Sequence, residues 1–210
     1  MKVAVSFISS DYDLDTTIKK IDESKADYIH VDMMDGQFVE NSNFTVQDIK
    51  KMFKGCKKKL DVHMMVCSPN KYIKDIAKIK NLGYVTIHYE SHRRPIDVIN
   101  QMKHANLKIG IAINPDTKVS HIIPLLHLVD QVLIMSVVPG MGGQSFITKV
   151  EKKIEEIRAL IESYHLDILI NVDGGVNGST KSLCQKADIL TAGSYIIDSD
   201  NFQEKISSLR

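Results

Sequence analysis

Short apolar runs alternate with amphipathic segments along almost the whole chain. The apolar runs are rich in Val and Ile and nearly continuous, which is typical of parallel strands that are buried on both faces. This pattern predicts strands at Val3–Phe7, Tyr28–Asp32, Leu60–Met64, Tyr84–His88, Lys108–Ile113, Gln131–Ser136, Ile168–Asp173 and Ile189–Ala192.

The segments between these strands have the spacing of helices. An apolar stripe that begins at Val150 and recurs at spacings of four, three and four residues predicts a helix over Ile147–Tyr164. Ser68 and Pro69 together predict an N-cap with proline at the first helical position, followed by a helix over Asn70–Ile79. The other predicted helices are Asp13–Ser24, Thr45–Phe53, Pro95–Ala105, Val119–Leu126, Ser179–Lys186 and Phe202–Ser208.

Eight strands, each followed by a helix, predict an α/β fold with a parallel sheet closed into a (β/α)₈ TIM barrel. An open, doubly wound parallel sheet is the alternative that the pattern leaves open. No Gly-x-Gly-x-x-Gly follows the first strand, which disfavours the dinucleotide-binding form of that alternative. The composition does not shift along the chain, so we expect residues 1–210 to form a single barrel domain.

Charge and composition add a few exclusions. With 27 basic and 26 acidic residues, the formal net charge of +1 gives no field that favours nucleic acid or a membrane surface as a partner. The apolar runs are too short to span a bilayer, and the first residues lack the pattern of a signal peptide. Three cysteines without a Cys-x-x-Cys pair indicate a reducing compartment. We therefore expect a soluble cytoplasmic protein.

Polar side chains lie at the carboxyl ends of three predicted strands, where barrel enzymes have their active sites. His30 and Asp32 end the second strand, His63 lies near the end of the third, and Asp173 ends the seventh. Each alone could be a satisfied core or rim residue. Together, and in phase with their strands, they favour a site for one divalent cation, and the nitrogen and oxygen ligands suit Zn, Fe(II), Mn or Co better than Mg or Ca.

Other side chains near these strand ends give weaker evidence of a functional role. Met34 and Met65 share a face with the predicted ligands, and Met135 lies near the end of the sixth strand. Packing explains most methionines, but these three could also form an apolar wall that keeps the site dry. A hydrogen bond at the rim, with Glu90 close by, explains His88 as well as a functional role does, so His88 is left out of the metal set.

Glycine-rich loops follow the sixth, seventh and eighth strands. They contain Gly140 to Gly143, Gly174 with Gly175, and Gly193 with Ser194. Glycine allows backbone N–H groups to approach an anion closely, and the loops after strands seven and eight bind phosphate in many barrels. The first loop is long enough to close over a ligand as a lid. An ordinary flexible turn explains any one loop, whereas three in successive units favour a phosphorylated substrate.

In order and spacing, these motifs resemble the ribulose-phosphate 3-epimerase family, whose fold is a ribulose-phosphate-binding (β/α)₈ barrel. The resemblance runs essentially from end to end and rests on VSFISSDY, HVDMMDGQFVEN, LDVHMMV, VTIHYE, IGIAINPDT, VLIMSVVPGMGGQSF, NVDGGV and TAGS. It implies a metal-dependent isomerase of the pentose phosphate pathway that interconverts D-ribulose 5-phosphate and D-xylulose 5-phosphate by moving a proton at C3. It also implies a homo-oligomer.

The resemblance also implies roles for individual residues. Asp32 and Asp173 would be the paired acid and base that pass through an enediolate, and both would bind the metal with His30 and His63. The substrate contacts it implies are Ser6, Met34, His63, Met65, Met135, Gly142, Gly143, Gln144, Asp173, Gly174, Gly175, Gly193 and Ser194.

The chain departs from the family's usual residues at several positions, none of which is a predicted ligand: Val5, Gln37, Glu40, Val138, Met141 and Asn171. These departures leave open an epimerase of the same family that acts on a hexulose phosphate, D-allulose 6-phosphate. A sugar-phosphate decarboxylase or synthase is a more distant alternative. A barrel that binds a sugar phosphate without catalysis belongs to a different class again.

Overall fold

Eight parallel strands form a closed barrel in the computed structural model, which describes residues 1–8 and 13–210. Each strand pairs with the next one along the chain, and β8 pairs with β1, so the predicted barrel is confirmed and the open sheet is excluded. The end of the VSFISSDY motif, from Ser9 to Tyr12, lies outside the described residues. The strands are β1 Lys2–Ser6, β2 Tyr28–Met34, β3 Lys59–Met65, β4 Leu82–His88, β5 Ile109–Ile113, β6 Gln131–Met135, β7 Leu169–Asp173 and β8 Ile189–Ala192.

α-Helices cover the outside of the barrel. The longest, α5, buries Ile154 and Ile157 and begins and ends slightly inside the predicted range. A short helix directly after β8, at Ser194–Ile197, was not predicted. The helices are α1 Leu14–Glu23, α2 Val46–Met52, α3 Ile73–Ile76, α4 Pro95–His104, α5 Val150–Ser163, α6 Ser194–Ile197 and α7 Phe202–Ser208.

Three predicted α-helices are wholly or partly 3₁₀-helices. The segment after β3 begins as a 3₁₀ turn at Pro69–Lys71 before α3, and Ser68 precedes it in a left-handed conformation, with φ of 55° and no side-chain capping bond. The other two corrections concern the connections after β5, with 3₁₀ turns at Val119–His121 and Ile123–Leu128, and after β7, with one at Lys181–Cys184. A 3₁₀ turn of a few residues does not require apolar residues at the regular spacing of an α-helix.

The core has two parts. The outward faces of the strands pack against the helices in one large apolar cluster. The barrel interior also contains a buried polar layer, formed by Asp61, Thr86, Gln131, Asn171 and Thr191. Gly110 makes room for this layer, since a Cβ there would lie 2.1 Å from Oγ1 of Thr86. Among the described residues, we find no helix with the length and hydrophobicity to cross a lipid bilayer.

Candidate functional site

The four predicted metal ligands meet at the carboxyl ends of three strands. One ligand atom from each of His30, Asp32, His63 and Asp173 lies within 4.8 Å of those of the other three. The pairing of β2 with β3 places Asp32 opposite His63, and β2 itself places His30 on the same face two residues earlier. The strand order therefore brings together residues that are far apart in sequence.

Within this cluster, one nitrogen of each histidine faces the carboxylates of both Asp32 and Asp173. Nδ1 of His63 lies 3.0 Å from Oδ1 of Asp32 and 3.6 Å from Oδ2 of Asp173. Nε2 of His30 lies 3.4 Å and 3.5 Å from the same two oxygens. Two nitrogens and two oxygens thus surround a common centre, an arrangement that suits a single cation.

His30 gives the clearest test of whether a metal fits. Its Nδ1 is 2.8 Å from Oδ2 of Asp61, whereas its Nε2 is buried and has no hydrogen-bond partner among the described residues. An Nδ1–H donated to a carboxylate leaves the Nε2 lone pair facing the cluster, which is the arrangement of a metal-binding histidine. The donor set of two imidazoles and two carboxylates therefore fits a divalent transition metal.

The electrostatics of the cluster also favour positive charge. Burial alone would raise the pKa of the Asp32 carboxyl, but the contacts and charge of His30 and His63 outweigh burial and hold that pKa well below its usual range. Burial alone would lower the pKa of His30, yet the carboxylates of Asp32 and Asp173 raise it well above its usual value. The two carboxylates thus stabilise a positive charge at this position.

Asp61 is a residue that the sequence interpretation missed. Besides His30, its carboxylate accepts hydrogen bonds from Asn171 at 3.1 Å and from Gln131 at 3.3 Å. Asn171 in turn accepts one from Thr191 at 2.9 Å. Asp61 lies two residues before His63 on the same face of β3, so the strand phase alone could have identified it.

The sequence left two explanations open for His88, a hydrogen bond at the rim and a functional role. The structure places its side chain fully buried behind His63 and next to Glu90. Its Nε2 lies 2.8 Å from Nε2 of His63, and its Nδ1 lies 3.2 Å from Oε2 of Glu90. His88 is not part of the cluster of four side chains, because His63 lies between it and the other three. His88 and Glu90 instead lie in a row behind His63.

A pocket of about 350 Å³ opens beside the cluster, within the size range of small-molecule sites. Asp32 and Asp173 line it, whereas His63 is fully buried and is not among its lining residues. Ser6 lines the pocket and donates a hydrogen bond of 2.9 Å to Oδ2 of Asp32. The three predicted methionines, Met34, Met65 and Met135, form part of its wall.

The predicted glycine loops form the other wall of the pocket. Gln144 braces the loop after β6, because its side-chain amide donates to the carbonyl oxygens of Val138 and Met141, both at 2.7 Å. Ser136 fixes the turn after β7 through hydrogen bonds to the carbonyl oxygens of Asp173 at 2.9 Å and Gly174 at 2.6 Å. The predicted loop residues that line the pocket are Gly142, Gly143, Gln144, Gly174, Gly175, Gly193 and Ser194.

The departures from the family's usual residues fall into two groups. Asn171 and Val5 are buried in the barrel, and Asn171 belongs to the network around Asp61. Val138 and Met141 are 62% and 64% exposed in the loop after β6. Gln37 and Glu40 are in the loop after β2, beside Val138 and Met141. None of the six disrupts the cluster of four ligands.

Comparisons with known proteins give one consistent result. A family model described as "Ribulose-phosphate 3 epimerase family" matches residues 2–197. A ribulose-phosphate 3-epimerase of Synechocystis sp. is 38% identical, covering 99% of this chain and 92% of the relative. Those of Bacillus subtilis and Methanocaldococcus jannaschii are 36% and 35% identical over 100% of this chain, covering 98% and 90% of the relatives.

Solved structures with the same fold include the following two. A 3-hexulose-6-phosphate synthase from Salmonella typhimurium aligns with a TM-score of 0.71 and 16% identity, covering 100% of this chain and 96% of the other. A tryptophan synthase α subunit from Campylobacter jejuni aligns with a TM-score of 0.68 and 14% identity, covering 100% and 95%. At these identities the likeness shows the barrel fold alone.

Proposed function

The chain belongs to the ribulose-phosphate 3-epimerase family, an epimerase family of the isomerase class acting on carbohydrates, and we propose that it interconverts D-ribulose 5-phosphate and D-xylulose 5-phosphate. The observation that supports this proposal most directly is the cluster of His30, Asp32, His63 and Asp173 beside a pocket with glycine-rich walls. Two of the four residues are carboxylates that also line the pocket, so metal binding and proton transfer can share one site.

Inversion at C3 requires that a weakly acidic proton leaves one face of the carbon and that another arrives on the opposite face. A single carboxylate cannot easily reach both faces, so two are needed, one ionised and one protonated at the start. Asp32 and Asp173 come from β2 and β7 and meet at the pocket from different directions. We assign one to remove the proton and the other to return it, with the roles exchanged in the reverse reaction.

The same cluster would hold the metal. His30 would bind through Nε2 and His63 through Nδ1, because these are the nitrogens that face Oδ1 of Asp32 and Oδ2 of Asp173. A bound divalent cation supplies Lewis-acid stabilisation of the negative charge that develops on the substrate oxygens when C3 loses its proton. Zn, Fe(II), Mn or Co fits this donor set.

The remaining pocket residues would hold the substrate. Backbone N–H groups of the glycine loops after β6, β7 and β8 suit a phosphate group, and no Lys or Arg is among the pocket-lining residues in the described ranges. The hydrogen bond from Ser6 orients Asp32, and the methionine wall limits the access of water to C3. The loop after β6 would act as the lid. A homo-oligomer in the cytoplasm, made of one barrel domain per chain, completes the proposal.

Turnover of purified, metal-loaded protein tests the substrate assignment. We expect conversion of D-ribulose 5-phosphate to D-xylulose 5-phosphate with retention of all carbon atoms, and loss of that activity on chelation. A large preference for D-allulose 6-phosphate would instead identify a hexulose-phosphate epimerase of the same family. Binding of either sugar phosphate without turnover would contradict the proposal and indicate a non-catalytic barrel.

A further inference from the structure

Behind the cluster of four predicted ligands, the side chains of His63, His88 and Glu90 form a row that leads towards the barrel rim. The Nε2 atoms of His63 and His88 are 2.8 Å apart, while their ring centroids are 4.9 Å apart. The two ring centroids are much further apart than the two nitrogens, so the rings meet edge to edge. This is the arrangement that an N–H···N hydrogen bond requires. Nδ1 of His88 then lies 3.2 Å from Oε2 of Glu90.

Glu90 is held in place from its other side. Its Oε1 accepts a hydrogen bond of 2.9 Å from the backbone N–H of Asn114 and another from the hydroxyl of Thr117, both in the connection after β5. Lys153 of α5 fixes that connection by donating to the carbonyl oxygens of Asn114 at 2.7 Å and Thr117 at 2.6 Å. The carboxylate of Glu90 is therefore presented to His88 as an acceptor with a fixed orientation.

A fixed acceptor at Glu90 determines where the protons lie along the row. A carboxylate accepts, so His88 must donate through Nδ1–H, and a neutral His88 then has a lone pair on Nε2. That lone pair can only accept, so His63 must carry its own proton on Nε2. His63 consequently has its lone pair on Nδ1, the nitrogen that faces Asp32 and Asp173.

We propose that Glu90 and His88 are positioning residues that select the Nδ1 lone-pair form of His63 and so prepare it to bind the divalent metal. The ring of Phe38 supports the arrangement, since its centroid lies 4.7 Å from that of His88 and limits the movement of the imidazole. This inference rests on the metal site of the proposed function. It goes beyond that function by adding a second set of residues, outside the pocket, on which metal affinity depends.

Glu90→Gln is the most direct variant. An amide has one acceptor and one donor end, so it cannot accept from His88 with one end and from Asn114 and Thr117 with the other. If the amide N–H₂ faces His88, Nδ1 of His88 becomes an acceptor and its Nε2–H donates to Nε2 of His63. His63 then carries its own proton on Nδ1, where the metal should bind. We expect the affinity for Co²⁺, measured by competition with a chromophoric chelator, to fall by about 10–100-fold, as is usual when the support of a ligand is removed.

Thr117→Val is the matched control. It removes one donor to Glu90 but leaves the carboxylate, so the positions of the protons on His88 and His63 do not change. The backbone N–H of Asn114 still holds Oε1 of Glu90 in this variant, so its Co²⁺ affinity should fall much less than that of Glu90→Gln, and the visible spectrum of its bound Co²⁺ should stay that of the wild type. The spectrum of the Glu90→Gln variant should change together with its affinity. A merely structural role for Glu90 would predict the same loss in both variants, and that result would contradict the inference.

A measurement on the wild-type protein removes any dependence on the folding of variants. In Zn²⁺-loaded protein labelled with ¹⁵N, we expect the His63 ring to show a metal-bound Nδ1 and a protonated Nε2. A His63 that binds Zn²⁺ through Nε2, or whose Nε2 has no proton, would overturn the proposal. Wild-type protein that binds none of the four metals would contradict the proposed function as well, whereas tight binding that is unchanged in Glu90→Gln would contradict this inference alone.

Discussion

Asp61 shows how much of the candidate metal site depends on residues that do not line the pocket. Its carboxylate is buried in the barrel interior, where it accepts hydrogen bonds from His30, Gln131 and Asn171. Through His30 it would orient one proposed ligand, as Glu90 and His88 would orient the other. Each imidazole of the cluster therefore has a carboxylate behind it, one directly and one through a second histidine.

Asn171→Leu tests the network around Asp61. The substitution keeps the volume of the side chain but removes a donor to Asp61 and the acceptor for Thr191. A buried polar group that loses its partner costs about 1–3 kcal/mol, so the free energy of unfolding should fall by about that amount. Urea unfolding measures it, with Asn100→Leu at an exposed position of α4 as control. Equal effects of the two substitutions would contradict this account of the network.

The four clustered side chains could be identified from sequence, whereas part of the network behind them could not. His30, Asp32, His63 and Asp173 have the right phase at strand ends, and phase is visible in one sequence. The contact between His63 and His88 depends instead on the register of two neighbouring strands, which pairs His63 with Thr86 and thereby brings His88 near. Strand register is a property of the assembled barrel, so the sequence could not distinguish a hydrogen bond at the rim from a functional role for His88.

At the scale of single elements, α2 has the clearest local signal. Thr45 accepts a hydrogen bond of 3.2 Å from the backbone N–H of Asp48, and the Asp48 carboxylate accepts one of 2.9 Å from the backbone N–H of Thr45. This capping box satisfies donors that the first turn leaves free. It also explains why the predicted start of this helix agrees with the structure.

Thr45→Ala should lower the free energy of unfolding by about 1 kcal/mol, because it removes the cap without affecting the core. Chemical denaturation measures the change. Thr148→Ala, an exposed threonine just before α5, is the control and should have little effect. If Thr45→Ala is as stable as this control, the cap does not contribute to folding.

The loop after β7 owes its shape to glycine. Gly175 has φ of +62°, and a Cβ there would lie 2.5 Å from the backbone nitrogen of Phe146, so it joins two walls of the pocket closely. Gly175→Ala should therefore displace these walls and raise KM for the sugar phosphate. Gly55→Ala is the control for backbone strain alone, since Gly55 has φ of +95° with no atom within 4 Å of the added Cβ. Steady-state kinetics should separate the two variants; an unchanged KM in Gly175→Ala would contradict the tight contact.

Strands were predicted well and several helices were not, for a physical reason. A buried parallel strand needs a continuous apolar run, and each run in the sequence corresponds to a strand of the barrel. The connections after β5 and β7 need only a few apolar contacts with the barrel, which a 3₁₀ turn provides as well as an α-helix. The amino-acid composition of these two connections did not distinguish a 3₁₀ turn from an α-helix. The order and number of strands sufficed to predict the barrel as a whole.

At the scale of the whole molecule, metal binding should stabilise the fold. The ligands come from β2, β3 and β7, which are brought together only in the folded barrel. A metal at 100 times its Kd adds about 2.7 kcal/mol, which corresponds to a rise in Tm of about 5–11 °C for a chain of this size. Differential scanning calorimetry with and without Co²⁺ or Zn²⁺ measures it, and EDTA should reverse it. A Tm that does not respond to any of the four metals would contradict the metal site.

In the proposed reaction, one of Asp32 and Asp173 removes the proton at C3 of a ketose phosphate and the other returns a proton to the opposite face. The most direct measurement follows D-ribulose 5-phosphate by NMR in D₂O with metal-loaded protein. The wild type should incorporate solvent deuterium at C3 as D-xylulose 5-phosphate appears, and Asp173→Asn, with its fold intact, should lose turnover. Epimerisation at near-normal rate by Asp173→Asn, or binding of the substrate by the wild type without any exchange at C3, would contradict the account.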